Sequence, residues 1–204
     1  MGSDTGQRSE TQRPISVNMR GEKVVLGPLQ RELLPLLSRW ANDFAVSALA
    51  GDSLRPVAWE SIVAEFEQDV KADAHRVVIF TIYEATTMRP VGTTSLNRID
   101  HTQGTAMYGI TIGDKDAWGK GYGTETTVLM LDYAFNVLGL HNVMLEVYSF
   151  NERAVRAYTR AGFETVGRRR EAHRMGQQRH DVILMDCTAS TFHSPLKPVL
   201  EPPH

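Results

Sequence analysis

A glycine-rich run in the middle of the chain has the composition of a phosphate-binding turn. Gly119, Gly121 and Gly123 alternate with Lys120 and Tyr122 just before an apolar, helix-like segment. The first turn of a helix leaves about four backbone N–H groups without partners and carries roughly half a positive charge, so it can bind a phosphate group. Glycines let the backbone approach such a ligand closely. The simpler interpretation is that these glycines only shape a tight strand-to-helix turn.

The spacing of the glycines excludes two common nucleotide-binding motifs. The phosphate-binding loop of ATPases has the pattern G-x-x-x-x-G-K-[ST], and the dinucleotide-binding turn has the pattern G-x-G-x-x-G. In this chain the glycines occupy every second position. The run therefore argues against an ATPase and against a Rossmann dehydrogenase.

A second cassette, from Asn151 to Phe163, places one polar group on a helix face made of small residues. Asn151 can cap the helix, and Gly162 can end it in a left-handed conformation. Tyr158 shares its face with three alanines: Ala154, Ala157 and Ala161. A tyrosine with an ordinary pKa of about 10 is protonated at neutral pH and can donate a proton to a leaving group. The alternative is a packed aromatic ring whose hydroxyl bonds to the backbone.

The elements that must position these cassettes follow the pattern of a mixed α/β sheet. Helical spacing is found over Leu33–Trp40 and Trp59–Val70, and in a segment whose Val128, Leu131, Phe135 and Leu138 share a face and which Gly139 ends. Strands are predicted at 23–26, 77–83, 91–96, 108–112 and 143–148, and a terminal hairpin is predicted to turn near Gly176. The predicted order is β-α-α-β-β-β-α-β-α-β-β.

The two cassettes together resemble the signatures of the GNAT superfamily of N-acetyltransferases. The run from Trp118 to Gly123 is similar to the pattern Q/R-x-x-G-x-G/A, although Trp118 departs from the usual glutamine or arginine. The Trp-Gly-Lys-Gly-Tyr form is familiar from the Rim-type ribosomal-protein branch. The second cassette resembles N-x-x-A-x-x-x-Y-x-x-x-G-F. The resemblance implies a mixed, mostly antiparallel central sheet with splayed middle strands, flanked by helices.

The resemblance also implies roles for particular residues. Acetyl-CoA, or another acyl-CoA, would be the co-substrate, and no metal would be needed. Asn151 would contact the pantetheine arm, Tyr158 would protonate the departing thiolate, and a backbone N–H on the strand Tyr108–Ile112 would polarise the thioester carbonyl. The residues expected to bind the co-substrate are Ile110, Thr111, Ile112, Trp118, Gly119, Lys120, Gly121, Tyr122, Gly123, Thr124 and Asn151.

A general base is harder to assign from the sequence. Glu146 is the leading candidate because it lies on the strand 143–148, where Met144 and Tyr148 should face the same side. Some Rim-type enzymes carry a glutamate at the matching place. Glu84, at the end of an earlier strand, is a weaker candidate. Glu146 could also be an ordinary solvated glutamate, with the amine losing its proton to water.

Composition indicates a single ordinary globular domain. The chain has 204 residues, 42% hydrophobic and 23% charged, with a formal net charge of −2. We expect a flexible leader at 1–19, one acyltransferase domain at 20–190 and a proline-rich tail at 191–204. The sequence shows neither a membrane span nor a signal core, so a cytoplasmic monomer or homodimer is expected.

Several polar residues near the end of the chain suggest no further chemistry. The arginines between 168 and 179 are expected to form a solvated face, and the absence of interleaved aromatic residues argues against nucleic acid as a partner. His173 and His180 lack a metal-ligand spacing. Cys187 follows an apolar stretch and is expected to be a buried strand residue rather than a nucleophile.

The acceptor is not encoded in either signature. A protein N-terminus, a polyamine, an antibiotic amine and a biosynthetic intermediate, as small-molecule or peptide amines, all fit the sequence. Two alternatives from other classes stay open. One is a non-catalytic acyl-CoA-binding sensor, and the other is a transferase of the same fold that uses a different donor, such as an aminoacyl-tRNA.

Overall fold

A single eight-stranded sheet organises the molecule. The computed structural model describes residues 15–51, 54–71 and 75–196. The strands are β1 (Met19–Arg20), β2 (Val24–Pro28), β3 (Val78–Glu84), β4 (Pro90–Asp100), β5 (Thr105–Thr111), β6 (Asn142–Tyr148), β7 (Glu164–Met175) and β8 (Gln178–Thr188). Their order is β1-β2-β3-β4-β5-β6-β8-β7, and every neighbouring pair is antiparallel except β5 and β6. The predicted mixed, mostly antiparallel sheet is confirmed.

Five α-helices flank the sheet in the described residues. They are α1 (Leu34–Ala41), α2 (Phe44–Ala50), α3 (Trp59–Lys71), α4 (Tyr122–Asp132) and α5 (Glu152–Ala161). The sequence predicted only two helices before β3, so α2 is an addition. It is seven residues long and has its own caps, since Asp43 accepts the N–H of Ala45 and Gly51 adopts a φ of 91°. No helix in these residues is long and apolar enough to cross a membrane.

The middle of the sheet is split between β5 and β6. These strands pair in parallel only from Thr105–Met107 to Asn142–Met144. Beyond Met107, β5 remains paired with β4 on its other side, and β6 remains paired with β8 along its whole length. The two strands therefore diverge toward their carboxyl ends and leave a slot between them, which confirms the predicted splayed middle strands.

Helix α4 is the central helix of the fold. One apolar face was predicted for this helix, but all residues from Thr126 to Asp132 are buried. The buried hydroxyls of Thr127 and Tyr108 lie 3.0 Å apart and link α4 to β5. The helix runs into a π-helical turn, Tyr133–Val137, and Gly139 follows with a φ of 66°. Protein on all sides of α4 fixes the position of its N-terminus.

The packed unit includes residues on both sides of the expected 20–190 domain. Met19, the last residue of the expected leader, is buried in β1. Near the other end, the ring of Phe192 lies 5.4 Å from that of Phe135, and Leu196 contacts the same core. Residues 1–14 of the expected leader and 197–204 of the expected tail lie outside the described residues.

Candidate active site

The glycine-rich turn is open at the N-terminus of α4. Gly121 is the N-cap residue and has a φ of 85°, in the left-handed region that favours glycine. Within the described residues, no side chain caps this helix. A Cβ added at Gly119 or Gly123 would meet no atom within 4 Å. The first N–H groups of α4 are therefore uncovered, with space in front of them for an anion.

Lys23, the residue immediately before β2, adds positive charge to this turn. A Cβ on Gly121 would lie 3.1 Å from the Nζ of Lys23. The backbone around Lys23 is held in place because Glu125 accepts its N–H at 2.7 Å and that of Val24 at 3.1 Å. Sequence reasoning missed Lys23, since nothing in its local pattern shows that β2 runs beside the turn.

Helix α5 forms the opposite wall, as its sequence predicts. Asn151 is its N-cap residue and accepts the N–H of Ala154 at 3.2 Å, and Gly162 ends the helix with a φ of 109°. Tyr158 points from α5 toward the middle of the sheet, where its ring meets those of Tyr108 and Phe163 edge-on at 6.2 and 6.0 Å. The cap and the packed ring fix where the tyrosine hydroxyl lies.

A cavity of about 210 Å³ lies between the glycine-rich turn and α5, and we call it the glycine-turn cavity. Ten of the eleven residues expected to bind a co-substrate line it; the exception is Lys120. Seven residues that the sequence did not single out also line it: Val46, Leu49 and Ala50 of α2, Ala117 before the glycine-rich turn, and Arg153, Arg156 and Arg160 of α5. The arginines recur at helical spacing on α5, which is a signal the sequence contained.

Trp118 is fixed at the start of this cavity. Its indole Nε1 donates to the carbonyl of Ile112 at 2.8 Å, and the guanidinium of Arg153 lies over its ring, 4.2 Å from the centroid. The usual residue at this place in the signature is glutamine or arginine. The stacked Arg153 therefore supplies a cation beside a position that is itself uncharged.

A cover made of α1 and α2 is attached to the segment between β5 and the glycine-rich turn. Lys115 forms a 2.5 Å ion pair with Asp43, the N-cap residue of α2. Trp40 of α1 packs directly on Gly113, where an added Cβ would lie 2.1 Å from the indole Cδ2. These contacts hold Leu49 and Ala50 over the slot between the splayed strands.

A second cavity of about 550 Å³ lies at that slot, and we call it the sheet cavity. Its walls come from α2, β4, β5, β6 and α5. It shares five lining residues with the glycine-turn cavity: Leu49, Ala50, Ile110, Asn151 and Tyr158. Tyr158 thus lies where the two cavities meet.

The hydroxyl of Tyr158 is free to act on a ligand at this junction. Within the described residues, no hydrogen bond to it is found. Burial raises its pKa to about 12, so the phenol is protonated throughout the neutral range. Burial also raises the pKa of Tyr108, but that hydroxyl is engaged with Thr127. Tyr158 therefore has a proton available to the cavities, whereas Tyr108 does not.

Glu146 lies in the sheet cavity but is not isolated. Its carboxylate accepts from the guanidinium of Arg169 at 3.2 Å, and its side chain is 47% exposed. Tyr148 lines the cavity beside it, whereas Met144 does not, because Met144 lies where β5 and β6 are still paired. Glu84 lines neither cavity. Hydrogen bonds from Thr87 and Tyr122 lower the pKa of Glu84, which makes it a poor base.

The terminal hairpin carries the remaining polar residues. Arg168 pairs with Asp181 at 3.0 Å on an exposed strand, and His173 stacks on Tyr148 with ring centroids 3.8 Å apart. In the part of the chain that the structure describes, no three histidine, cysteine, aspartate or glutamate residues cluster as metal ligands. Cys187 is buried in β8, and burial raises its pKa to about 11, so its thiol is a poor nucleophile.

Comparison with known proteins identifies the family. Residues 23–164 match the model of the acetyltransferase (GNAT) domain. The chain belongs to the GNAT acetyltransferase family. The matched segment contains both signatures, so the superfamily predicted from them is confirmed.

Curated relatives of this GNAT chain are named as N-acetyltransferases. It is 34% identical over 156 residues to the probable N-acetyltransferase YjcK of Bacillus subtilis (strain 168), covering 73% of this chain and 84% of that protein. It is 28% identical over 105 residues to the uncharacterized N-acetyltransferase p20 of Bacillus licheniformis, covering 52% and 58%. It is 36% identical over 76 residues to the spermidine N(1)-acetyltransferase of Escherichia coli (strain K12), covering 37% and 40%. The match to p20 and the match to the spermidine enzyme each span less than two thirds of the relative.

Solved structures share the GNAT fold over most of their length. The spermidine N-acetyltransferase from Vibrio cholerae, in complex with CoA and spermine, has a TM-score of 0.76 at 22% identity, covering 84% of this chain and 98% of that one. A GNAT-family acetyltransferase from Bacillus anthracis has a TM-score of 0.71 at 15% identity, covering 83% and 97%. At these identities the likeness is one of fold.

Proposed function

We propose that this GNAT chain transfers an acetyl group, or another acyl group, from acyl-CoA to a primary amine by direct attack. The observation that carries the proposal is the position of Tyr158. Tyr158 lines both the glycine-turn cavity and the sheet cavity, and its hydroxyl has no hydrogen-bond partner within the described residues. A donor entering from one side and an acceptor entering from the other would meet beside a protonated phenol.

The glycine-turn cavity fits the phosphate-bearing end of coenzyme A. The uncovered N–H groups of α4 and the ammonium of Lys23 would bind the diphosphate. The space at Gly119 and Gly123 admits it without displacing a side chain. Asn151 and the edge of β5 that is unpaired beyond Met107, on the side facing β6, would flank the narrower pantetheine arm. Coenzyme A supplies the thioester, and these residues orient it.

The residues at the junction divide the proton transfers between them. The amine nitrogen bonds to the acyl carbon as the carbon–sulfur bond breaks, so the nitrogen loses a proton and the sulfur gains one. Tyr158 would give its proton to the sulfur, and its pKa of about 12 ensures that it is re-protonated at neutral pH. Glu146 would accept the proton of the amine. Its ion pair with Arg169 keeps the carboxylate oriented at the cavity wall.

The test is release of free thiol from acetyl-CoA with a panel of amines, with the acylated product identified by mass spectrometry. Tyr158→Phe should lower kcat by about 100-fold or more, the contribution typical of a positioned acid. Its affinity for coenzyme A, measured by calorimetry, should change by less than about threefold. Tyr133→Phe is the matched control, since Tyr133 is a partly buried phenol that lines neither cavity.

Each possible outcome assigns a different function. Unchanged turnover in Tyr158→Phe would remove this residue from the mechanism. Tight binding of coenzyme A with no turnover on any amine would favour a sensor, and failure to bind coenzyme A would favour another donor.

A further inference from the structure

The charged groups of the sheet cavity differ from those that a polycation requires. Among its described lining residues there is one carboxylate, Glu146, and one guanidinium, Arg98. The carboxylate is already paired with Arg169, 3.2 Å away. The described charged groups at or beside this wall, Arg98, Arg169 and Glu146, are therefore two cations and one anion. A polyamine, which is multiply protonated at neutral pH, would find its own charge repeated there.

Arg98 is the group at this wall that has charge to offer. Within the described residues it takes part in no ion pair or side-chain hydrogen bond. It lies in the β-bulge that interrupts the pairing of β4 with β5 between Asn97 and Asp100. Its φ is 51°, a left-handed conformation that is unusual for arginine. The bulge interrupts the regular alternation of side chains between the two faces of the sheet and leaves Arg98 at the cavity wall.

An unpaired guanidinium has a defined preference among ligands. Its planar N–H donors match the two oxygens of a carboxylate, and it has no acceptor for an ammonium group. A phosphate dianion would favour two cations, but the described cavity wall offers only one free cation, Arg98. An acceptor that reacts at this site must place its amine at the thioester, beside Tyr158. Another part of the acceptor then occupies the remaining volume of the sheet cavity.

We propose that the acceptor is a monoamine that also carries a carboxylate, and that Arg98 binds this carboxylate. The inference rests on the proposed acyltransferase function and narrows its substrate class. The carboxylate could belong to a free amino acid or to an acidic side chain near a peptide N-terminus. Arg98 is then a specificity-determining residue rather than a catalytic one.

Bisubstrate conjugates test the inference without depending on turnover. Coenzyme A is joined through its sulfur and an acetyl bridge to ω-amino acids of two to six carbons, and each acid is compared with its primary amide. Dipeptides with aspartate or glutamate second, against asparagine or glutamine, form a parallel series that separates the two sources of carboxylate. A spermidine conjugate represents the polycation. Affinity for the full chain is measured by calorimetry.

Arg98 is tested by a substitution that its backbone tolerates. Arg98→Asn removes the charge but keeps a residue that readily adopts left-handed φ. Arg20→Asn removes the same charge from an exposed residue of β1, outside both cavities. Arg98 does not line the glycine-turn cavity, so neither substitution should change the affinity for coenzyme A alone.

In the wild type, at least one acid should bind about tenfold or more tightly than its amide, as expected for a charge-assisted hydrogen bond at a partly open site. Arg98→Asn should abolish this difference and Arg20→Asn should retain it. Equal affinities of acid and amide at every length, or tightest binding of the spermidine conjugate, would overturn the inference while leaving acyl transfer intact. If no conjugate and no coenzyme A binds, the proposed function itself fails.

Discussion

Gly123→Leu should separate the stability of the protein from its affinity for coenzyme A. Gly123 is the second residue of α4, and its φ is outside the left-handed region. An added Cβ there meets no atom within 4 Å, so a side chain at this position starts in open space, and we expect leucine to be accommodated in the free protein. Its side chain would instead occupy the space in front of the uncovered N–H groups of the helix.

Gly123→Leu should raise the stability of the protein and lower its affinity for coenzyme A. Glycine inside a helix costs about 0.8–1.0 kcal/mol relative to a good helix former, and roughly half of that applies in the first turn. We therefore expect a gain of about 0.5 kcal/mol, which raises Tm by about 1–2 °C in a chain of this size. Losing two hydrogen bonds to a charged diphosphate costs about 3 kcal/mol or more, or about 100-fold in Kd.

Thermal unfolding and calorimetric titration with coenzyme A measure the two quantities separately. Gly123→Ala is the matched control, because its small side chain should bring the same gain in Tm with an affinity within about threefold of wild type. Wild-type affinity in Gly123→Leu would show that the diphosphate does not bind at this turn. A marked loss of Tm would show that the space in front of Gly123 is already filled in the free protein.

Three further outcomes are expected. The pKa of Tyr158 is raised from 10 to about 12, so folding favours its protonated form. The resulting contribution to the free energy of unfolding is fully present below pH 10 and is lost as the pH rises toward 12. In denaturant titrations, the free energy of unfolding should therefore fall less steeply at alkaline pH in Tyr158→Phe than in the wild type. Glu146→Gln should lower kcat about tenfold or more at neutral pH and recover toward high pH, where the amine loses its proton unaided, whereas a pH-independent ratio of kcat to wild type would exclude Glu146 as the base. Gly113→Ala should destabilise the fold by about 1–3 kcal/mol through its clash with Trp40, and Trp40→Leu should relieve part of that loss; independent, additive effects in urea titrations would contradict the contact.

The features that the sequence predicted well are local in the chain. The glycine run sets its own turn, and the helix from Glu152 to Ala161 carries its own cap and stop, so both cassettes form as expected. Runs of β-branched and aromatic residues located β2 to β6, because such side chains favour strands, whereas the two-residue β1 was not predicted. These elements place ten of the eleven expected co-substrate residues around one cavity.

The features that the sequence missed depend on contacts between distant segments. Lys23 lies beside the glycine turn because β2 contacts α4 in the folded chain, whereas Lys120, although part of the turn, does not line the glycine-turn cavity. The cover over the slot includes α2, which is seven residues long and therefore too short to show a hydrophobic period, although Asp43 and Gly51 mark its ends. Arg98 reaches the sheet cavity through a bulge, and a bulge interrupts the alternation from which strand faces are inferred.

The packing of Trp40 on Gly113 has a consequence for how this protein can diverge. With the indole in place, a methyl group at position 113 would overlap Trp40, so any other residue there destabilises the fold. A prior exchange of the tryptophan for a smaller residue removes this clash, which favours one order of the two substitutions. Descendants of this sequence that carry a side chain at 113 should therefore have lost the indole at 40, and the two changes should appear in natural lineages in that sequence of events.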